Sequence, residues 1–197
     1  MKKTLSVLAV LSLLFIQKTD AQLNRGTAIV GADLANFNLG LKKGAQTTID
    51  ITPMAMWMLS NNIAIGGYVN FDLTTQKVEG TTYTSTGYGI GAMGRYYVND
   101  PKMNLLRSGR WFFEANAGFE GSNVKGGNST NGLGLGIGPG YAYFLTPNIA
   151  LETLLKFDEN LGFGNTTSTT DLDLRVGFQI YLPGRATVNS VKSKEGM

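Results

Sequence analysis

From residue 27 onward the chain alternates between oily and polar positions. In residues 171–182, DLDLRVGFQIYL, Leu172, Leu174, Val176, Phe178, Ile180 and Leu182 share one parity. Asp171, Asp173, Arg175, Gly177, Gln179 and Tyr181 share the other. A strand sends successive side chains to opposite faces, so this stretch has one oily face and one charged face. Seven earlier segments repeat the pattern, at 27–37, 47–58, 63–73, 83–98, 110–122, 132–145 and 149–158. The first loses its register after Asn36. In the fourth and sixth, glycines crowd the polar parity. Eight strands are therefore predicted.

The links between them alternate in kind. Residues 60–62 and 146–148 read as tight turns, and 99–109, with Pro101, Lys102 and Arg107, as a longer connection on the same side. Residues 39–46, 74–82, 123–131 and 160–170 are longer, polar and rich in Gly, Thr, Ser and Asn. Long links at one end and mostly short ones at the other suit an up-and-down barrel, with both termini on the short-turn side. Residues 51–71 and 137–157 also share Ile, Pro, Leu, Asn, Ile, Ala and Phe at matching places, as if one kind of hairpin were built twice.

The same alternation would serve a soluble barrel with its oily face inward. Three features favour the reverse. Trp57, Tyr96, Trp111, Phe113, Tyr143 and Phe178 lie near the short turns, and Phe71, Tyr88, Phe119 and Phe157 toward the longer links. Two aromatic belts flanking aliphatic residues match a membrane girdle. The glycines suit a narrow interior. Most strands are longer than the usual ~5–6 residues of a globular strand. The fold class expected is all-β, an eight-stranded antiparallel up-and-down transmembrane β-barrel. Lipid offers no partner to a free backbone group, so the first and last strands must pair.

An eight-stranded lumen is only wide enough for side chains to fill. Asp33, Asp50, Asp72, Glu114, Glu120, Glu152, Asp158, Asp171 and Asp173 are expected to face inward with Arg95, Lys156 and Arg175. These acids outnumber the bases, which predicts a wet or partly protonated interior with Arg95 and Arg175 as network centres. The network is expected to plug the lumen.

Composition removes much chemistry. There is no His and no Cys. The usual general base, the commonest metal ligand, Ser–His nucleophiles, disulfides and thiolate sites are all absent. No catalytic residue, cofactor or metal site is expected, and the chain is not expected to be an enzyme. The formal charge of +3 draws on Lys2, Lys3 and Lys18 of a leader, so the remainder is close to neutral and makes no case for nucleic acid. That leader, residues 1–21, reads as a secretory signal peptide: a basic start, an apolar run over 5–16 and small residues before Gln22. The barrel is expected over 22–182, and 183–197 as a disordered periplasmic tail.

Other motifs reduce to the strand pattern. Residues 89–94 fit G-x-G-x-x-G, but Arg95, Tyr96, Tyr97 and Val98 follow in place of a helix. Asn128 and Asn165 open glycosylation-like triplets and read as loop residues. Met54, Met56 and Met58 read as inward gap-fillers rather than soft-metal ligands. Asp171 and Asp173 could form an acid pair, but their alternation with leucines favours lumen lining. Lys102, Arg107 and Arg110 read as a solvated basic turn.

Four runs carry a family resemblance: GIGAMGRYYV (89–98), RWFFEANAGFEG (110–121), GLGLGIGPGYAYFLTPNIALE (132–152) and LRVGFQIYL (174–182). In this order they resemble the outer-membrane protein β-barrel domain family, small eight-stranded OmpA/OmpX-type barrels of Gram-negative envelopes. The resemblance spans about 26–182. It implies export, removal of the leader and assembly by the outer-membrane insertion machinery, and no single shared activity. Such barrels often end at the aromatic closing the last strand, whereas here fifteen residues follow, 183–197, polar overall and without a strand pattern. The expectation is an integral protein of the cell outer membrane, monomeric, in contact with outer-membrane lipid and without a nucleic-acid partner. Its role is structural or surface-exposed in the envelope. A small ion or solute channel is the alternative, and a soluble ligand-binding barrel the next.

Overall fold

The structure is a computed structural model and describes residues 23–38, 47–78, 81–98, 108–125, 129–164 and 168–184. The expected leader (1–21), most of the tail (185–197), and Pro101, Lys102, Arg107, Asn128 and Asn165 lie outside the described residues. Eight strands form: β1 (Ala28–Asn38), β2 (Thr47–Met58), β3 (Ile63–Val78), β4 (Thr81–Tyr97), β5 (Gly109–Val124), β6 (Ser129–Thr146), β7 (Ile149–Gly162) and β8 (Thr169–Leu182). Each pairs antiparallel with its neighbours in sequence, and β1 pairs with β8, so the sheet closes into a barrel.

One row of paired residues runs from Ala28 through Trp57, Ile65, Gly94, Ala115, Ile137 and Phe157 to Leu172. It starts at the first residue of β1 and ends beyond the Leu34–Val176 pair, toward the far end of that strand. The row climbs as it circles, so the strands are tilted, as a closed barrel requires.

The expected faces are present. Leu172 is 68% exposed, Phe119 66% and Trp57 59%, whereas Asp33, Arg95, Glu114, Glu152 and Arg175 are buried. Of the ten belt aromatics, Trp111 and Tyr143 are half-buried on the outer face, and Trp111 stacks edge-on against Tyr141 at 5.1 Å. The other eight are exposed. The blurred register of the first strand is a real irregularity: the β1–β2 pairing shifts between Ala35 and Asn38.

One expectation needs correction. Much of the sequence read as long polar links is strand. β3 and β4 stay paired to Val78 and Thr81, β5 and β6 to Asn123 and Ser129, and β7 and β8 to Asn160 and Thr169. The physical reason is the loss of the oily parity. These ribbons continue past the apolar belt, and their outer parity turns to polar residues such as Thr75, Thr82, Thr84, Thr86, Asn123, Asn131 and Thr170, so an oily alternation no longer marks them. β-branched Thr still favours the pleated backbone.

The glycines of β6 make room inside. A Cβ on Gly134 would meet the Glu120 carboxyl, and one on Gly140 the Phe112 ring. At Gly138 it would meet the Leu155 backbone carbonyl, which cannot swing away. On the outer face at Gly94 the nearest atom would be the Ala64 carbonyl oxygen at 3.7 Å, an ordinary contact. Gly138→Val should therefore cost about 1–3 kcal/mol by overpacking, while Gly94→Ala stays within about 0.5 kcal/mol. Urea unfolding of refolded protein in detergent micelles reads both, and equal shifts would contradict the inward placement of Gly138.

Candidate functional site: the filled lumen

The lumen is built in three tiers. At the short-turn end lies an apolar floor of Ile29, Met56, Met58, Tyr97, Phe112, Phe144 and Tyr181, all almost fully buried. Tyr97 and Phe112 have ring centroids 5.7 Å apart, and Phe144 and Tyr181 4.9 Å. Their offset and tilted packing is the favourable arrangement for aromatic pairs. The two tyrosine hydroxyls meet at 3.0 Å, and that of Tyr181 donates to Glu152 Oε1 at 2.6 Å. The floor's polar tips thus point at the tier above.

That middle tier is centred on Arg95, which is 2% exposed. Its Nε donates to Glu114 Oε2 at 2.6 Å and its Nη1 to Glu152 Oε2 at 2.5 Å. Nη2 contacts Met54 Sδ at 3.4 Å and stands 3.9 Å from Asp33 Oδ2. The guanidinium also lies over the Phe112 ring, 4.5 Å from its centroid, a cation–π contact. Gln179 Nε2 donates to Asp33 Oδ1 at 2.9 Å. Strands β1, β2, β5 and β7 each send a side chain to this guanidinium on β4, and β8 joins through Gln179 on Asp33 and Tyr181 on Glu152, so one guanidinium centres contacts from much of the barrel wall.

The third tier is wetter and lies toward the longer links. Arg175 Nη1 donates to Thr52 Oγ1 at 3.1 Å, and its Nη2 reaches Asp158 at 3.4 Å and Asp173 at 3.5 Å. Lys156 Nζ pairs with Asp158 Oδ1 at 3.0 Å. Amides serve the other carboxylates: Asn70 donates to Asp50 at 2.8 Å and Asn160 to Glu120 at 3.1 Å. Asn116 donates to the Tyr68 hydroxyl at 3.0 Å. Above these lies a polar cavity of about 160 Å³, walled by Asp50, Glu120, Lys156, Asp158, Asp173 and Arg175 among others.

The expected residues divide accordingly. Asp33, Glu114 and Glu152 gather on Arg95, and Asp158 and Asp173 on Arg175, with Lys156 sharing Asp158. Asp50 and Asp72 sit on the inner face outside these two ion-pair groups, and Asp72 is half-buried opposite Gly87. Asp171 has the inward parity and borders the cavity, but it is solvent-exposed, one step above Asp173 where the lumen opens. It is a rim residue and not part of the enclosed network.

Of the apolar floor, the inward methionines Met56 and Met58 and the parity of Tyr97 and Tyr181 were expected; the rings of Phe112 and Phe144 were not, and neither were the hydrogen bonds that Asn70, Asn116 and Gln179 make. Phe112 and Phe144 sit among girdle aromatics in sequence, and their parity alone marks them as inward. Among the described residues no cluster of acids has metal-holding geometry.

An oily exterior around an enclosed polar core defines a class: the eight-stranded membrane barrel whose lumen is filled by side chains. No family model and no curated protein matches this sequence. Among solved structures, the chain is similar to Neisserial surface protein A, with 19% identity and a TM-score of 0.50 over 78% of this chain and 94% of that one. It also aligns with the N-terminal β-barrel domain of OprF from Pseudomonas aeruginosa (12% identity, TM-score 0.46, 79% and 98% covered). A third match is OprG of the same organism (10%, 0.48, 83% and 99%). The first of these likenesses shows the fold: that of the small eight-stranded outer-membrane barrels expected from the sequence.

Arg95→Met should be severe, because it leaves Glu114 and Glu152 buried beside no cation. Breaking such a pair from one side costs about 3–5 kcal/mol. Adding Glu114→Gln and Glu152→Gln in the same chain should recover most of the loss, since no buried charge is then left over. Urea midpoints in micelles measure both, and a triple variant no better than the single one would show that the charges are not coupled as described.

Proposed function

We propose that this chain is an integral, monomeric protein of the cell outer membrane with a structural or surface-exposed envelope role and no catalysis. The leader directs export, its removal frees a chain starting near Gln22, and the outer-membrane insertion machinery places the barrel in lipid. The observation that carries the reading is the closed lumen. Phe112, Phe144, Tyr97 and Tyr181 fill the floor, and Arg95 with Glu114 and Glu152 fills the level above. Solutes entering the polar cavity would meet two successive barriers of close-packed side chains. The near-complete burial of Arg95, Glu114 and Glu152 across the middle of the bore favours the structural role over a channel.

The exterior supports the membrane setting. Large apolar side chains stand exposed on the outer face of all eight strands, an area far beyond what a soluble monomer carries as one patch. Two aromatic belts bound it.

Single-channel recording of the refolded mature protein in planar bilayers tests the closed lumen. The expected result is no stepwise current above baseline leak. A large, steady conductance would overturn the structural reading in favour of a channel.

A further inference from the structure

We propose that the short segments flanking the first and last strands form a clasp over the barrel's short-turn mouth, with Leu23 as a stopper in the lumen floor and a Gly26–Gly184 crossing as its lock. Barrel closure is already complete at the Ala28–Leu182 pair, so residues 23–27 add nothing to the β1–β8 ladder. They are nonetheless ordered and turned back. Gly26 has φ +86°, a conformation that side-chain-bearing residues rarely adopt, and Thr27 N–H closes the turn on the Asn24 carbonyl at 3.1 Å.

This reversal puts Leu23, 7% exposed, into the same buried cluster as Met56, Met58 and Phe144. Two backbone bonds pin the turn to the last residue of β2: Gly26 N–H to the Met58 carbonyl at 2.8 Å, and Met58 N–H to the Thr27 carbonyl at 2.9 Å. Arg25 N–H adds a bond to Asn61 Oδ1 at 3.1 Å.

The residues just after β8 pack against this turn. A Cβ on Gly184 would stand 2.5 Å from the Gly26 carbonyl oxygen and 2.9 Å from its carbon. Both are backbone atoms with no freedom to move aside, so this approach requires glycine at 184. The floor explains the need. It is apolar, and its lower surface faces the aqueous short-turn side. Covering it with Leu23 removes oily surface from water at the cost of ordering a short segment. The clasp is therefore a lid whose bonds to Met58 extend the β1–β2 ladder by one step and lie outside the β1–β8 closure.

The chain contains no Cys, so one introduced thiol reports floor access. Met58→Cys places it in the floor, on the residue whose backbone holds the Gly26–Thr27 turn, and Met93→Cys provides a buried site on β4 as a control. In refolded full-length mature protein carrying the Met58→Cys reporter, Leu23→Ser or Gly184→Val should speed maleimide labelling about tenfold or more, a local opening that leaves the ladders intact. Labelling of the Met93→Cys control, far-UV circular dichroism and heat-shifted gel mobility should not change. Equal labelling rates at position 58 with and without these substitutions would overturn the clasp, as would a matching rise at position 93. Hydrogen exchange on the unsubstituted protein gives a second reading that needs no variant. The Gly26 and Met58 amides should exchange as slowly as those of β1, and exchange at the free-peptide rate would sink the proposal. The clasp deepens the closed-lumen reading, but the Arg95 tier seals independently, so labelling can fail while conductance stays nil, and the two failures are distinguishable.

Discussion

A backbone N–H or C=O in hydrocarbon has no solvent to bond, and each one left free costs several kcal/mol. Within the membrane setting proposed above, that constraint governs the rest. It makes an open sheet untenable and forces β1 onto β8. Closure with eight strands then fixes a bore about one layer of side chains wide. Everything that distinguishes this protein lies in how that bore is filled.

The filling obeys two opposed requirements. Charges removed from water need partners of good geometry, and long side chains need volume. Arg95 meets the first by taking two glutamates in short contacts and an aromatic face beneath. The glycines of β6 meet the second by giving up side chains where Glu120, Asn116 and Phe112 must reach. Such a network is weak evidence for stability, since an oily plug of equal volume could do as well. What it supplies here is a common anchoring point for strands that are otherwise held only to their neighbours. The floor uses tyrosines for a similar purpose: apolar rings below, hydroxyls aimed at Glu152 above.

Strand number, the inward and outward parities and the gathering of acids on Arg95 and Arg175 were all legible in the sequence. Each depends on period-two alternation, which membrane burial imposes on every residue of a crossing. Where that pressure ends, legibility ends. The Thr-rich continuations of β3 and β4 carry no oily face and read as loops. Phe112 and Phe144 were hidden for the opposite reason: among neighbouring aromatics, hydrophobicity does not separate a lipid-facing ring from a lumen ring. The pairing of Asp50 and Glu120 with amides was out of reach, because Asn70 and Asn160 are distant in sequence and only register brings them close. The turn that seats Leu23 precedes the first strand and belongs to no pattern.

The central claim is that the oily parity meets lipid. The two tryptophans, Trp57 and Trp111, both lie on that parity near the short turns. Their fluorescence in bilayers of lipids brominated at graded depths reads their surroundings directly. The account predicts strong quenching by bromines at shallow acyl positions, weaker quenching by deep ones, and little effect of aqueous iodide. Full sensitivity to iodide with no response to brominated lipid would contradict it.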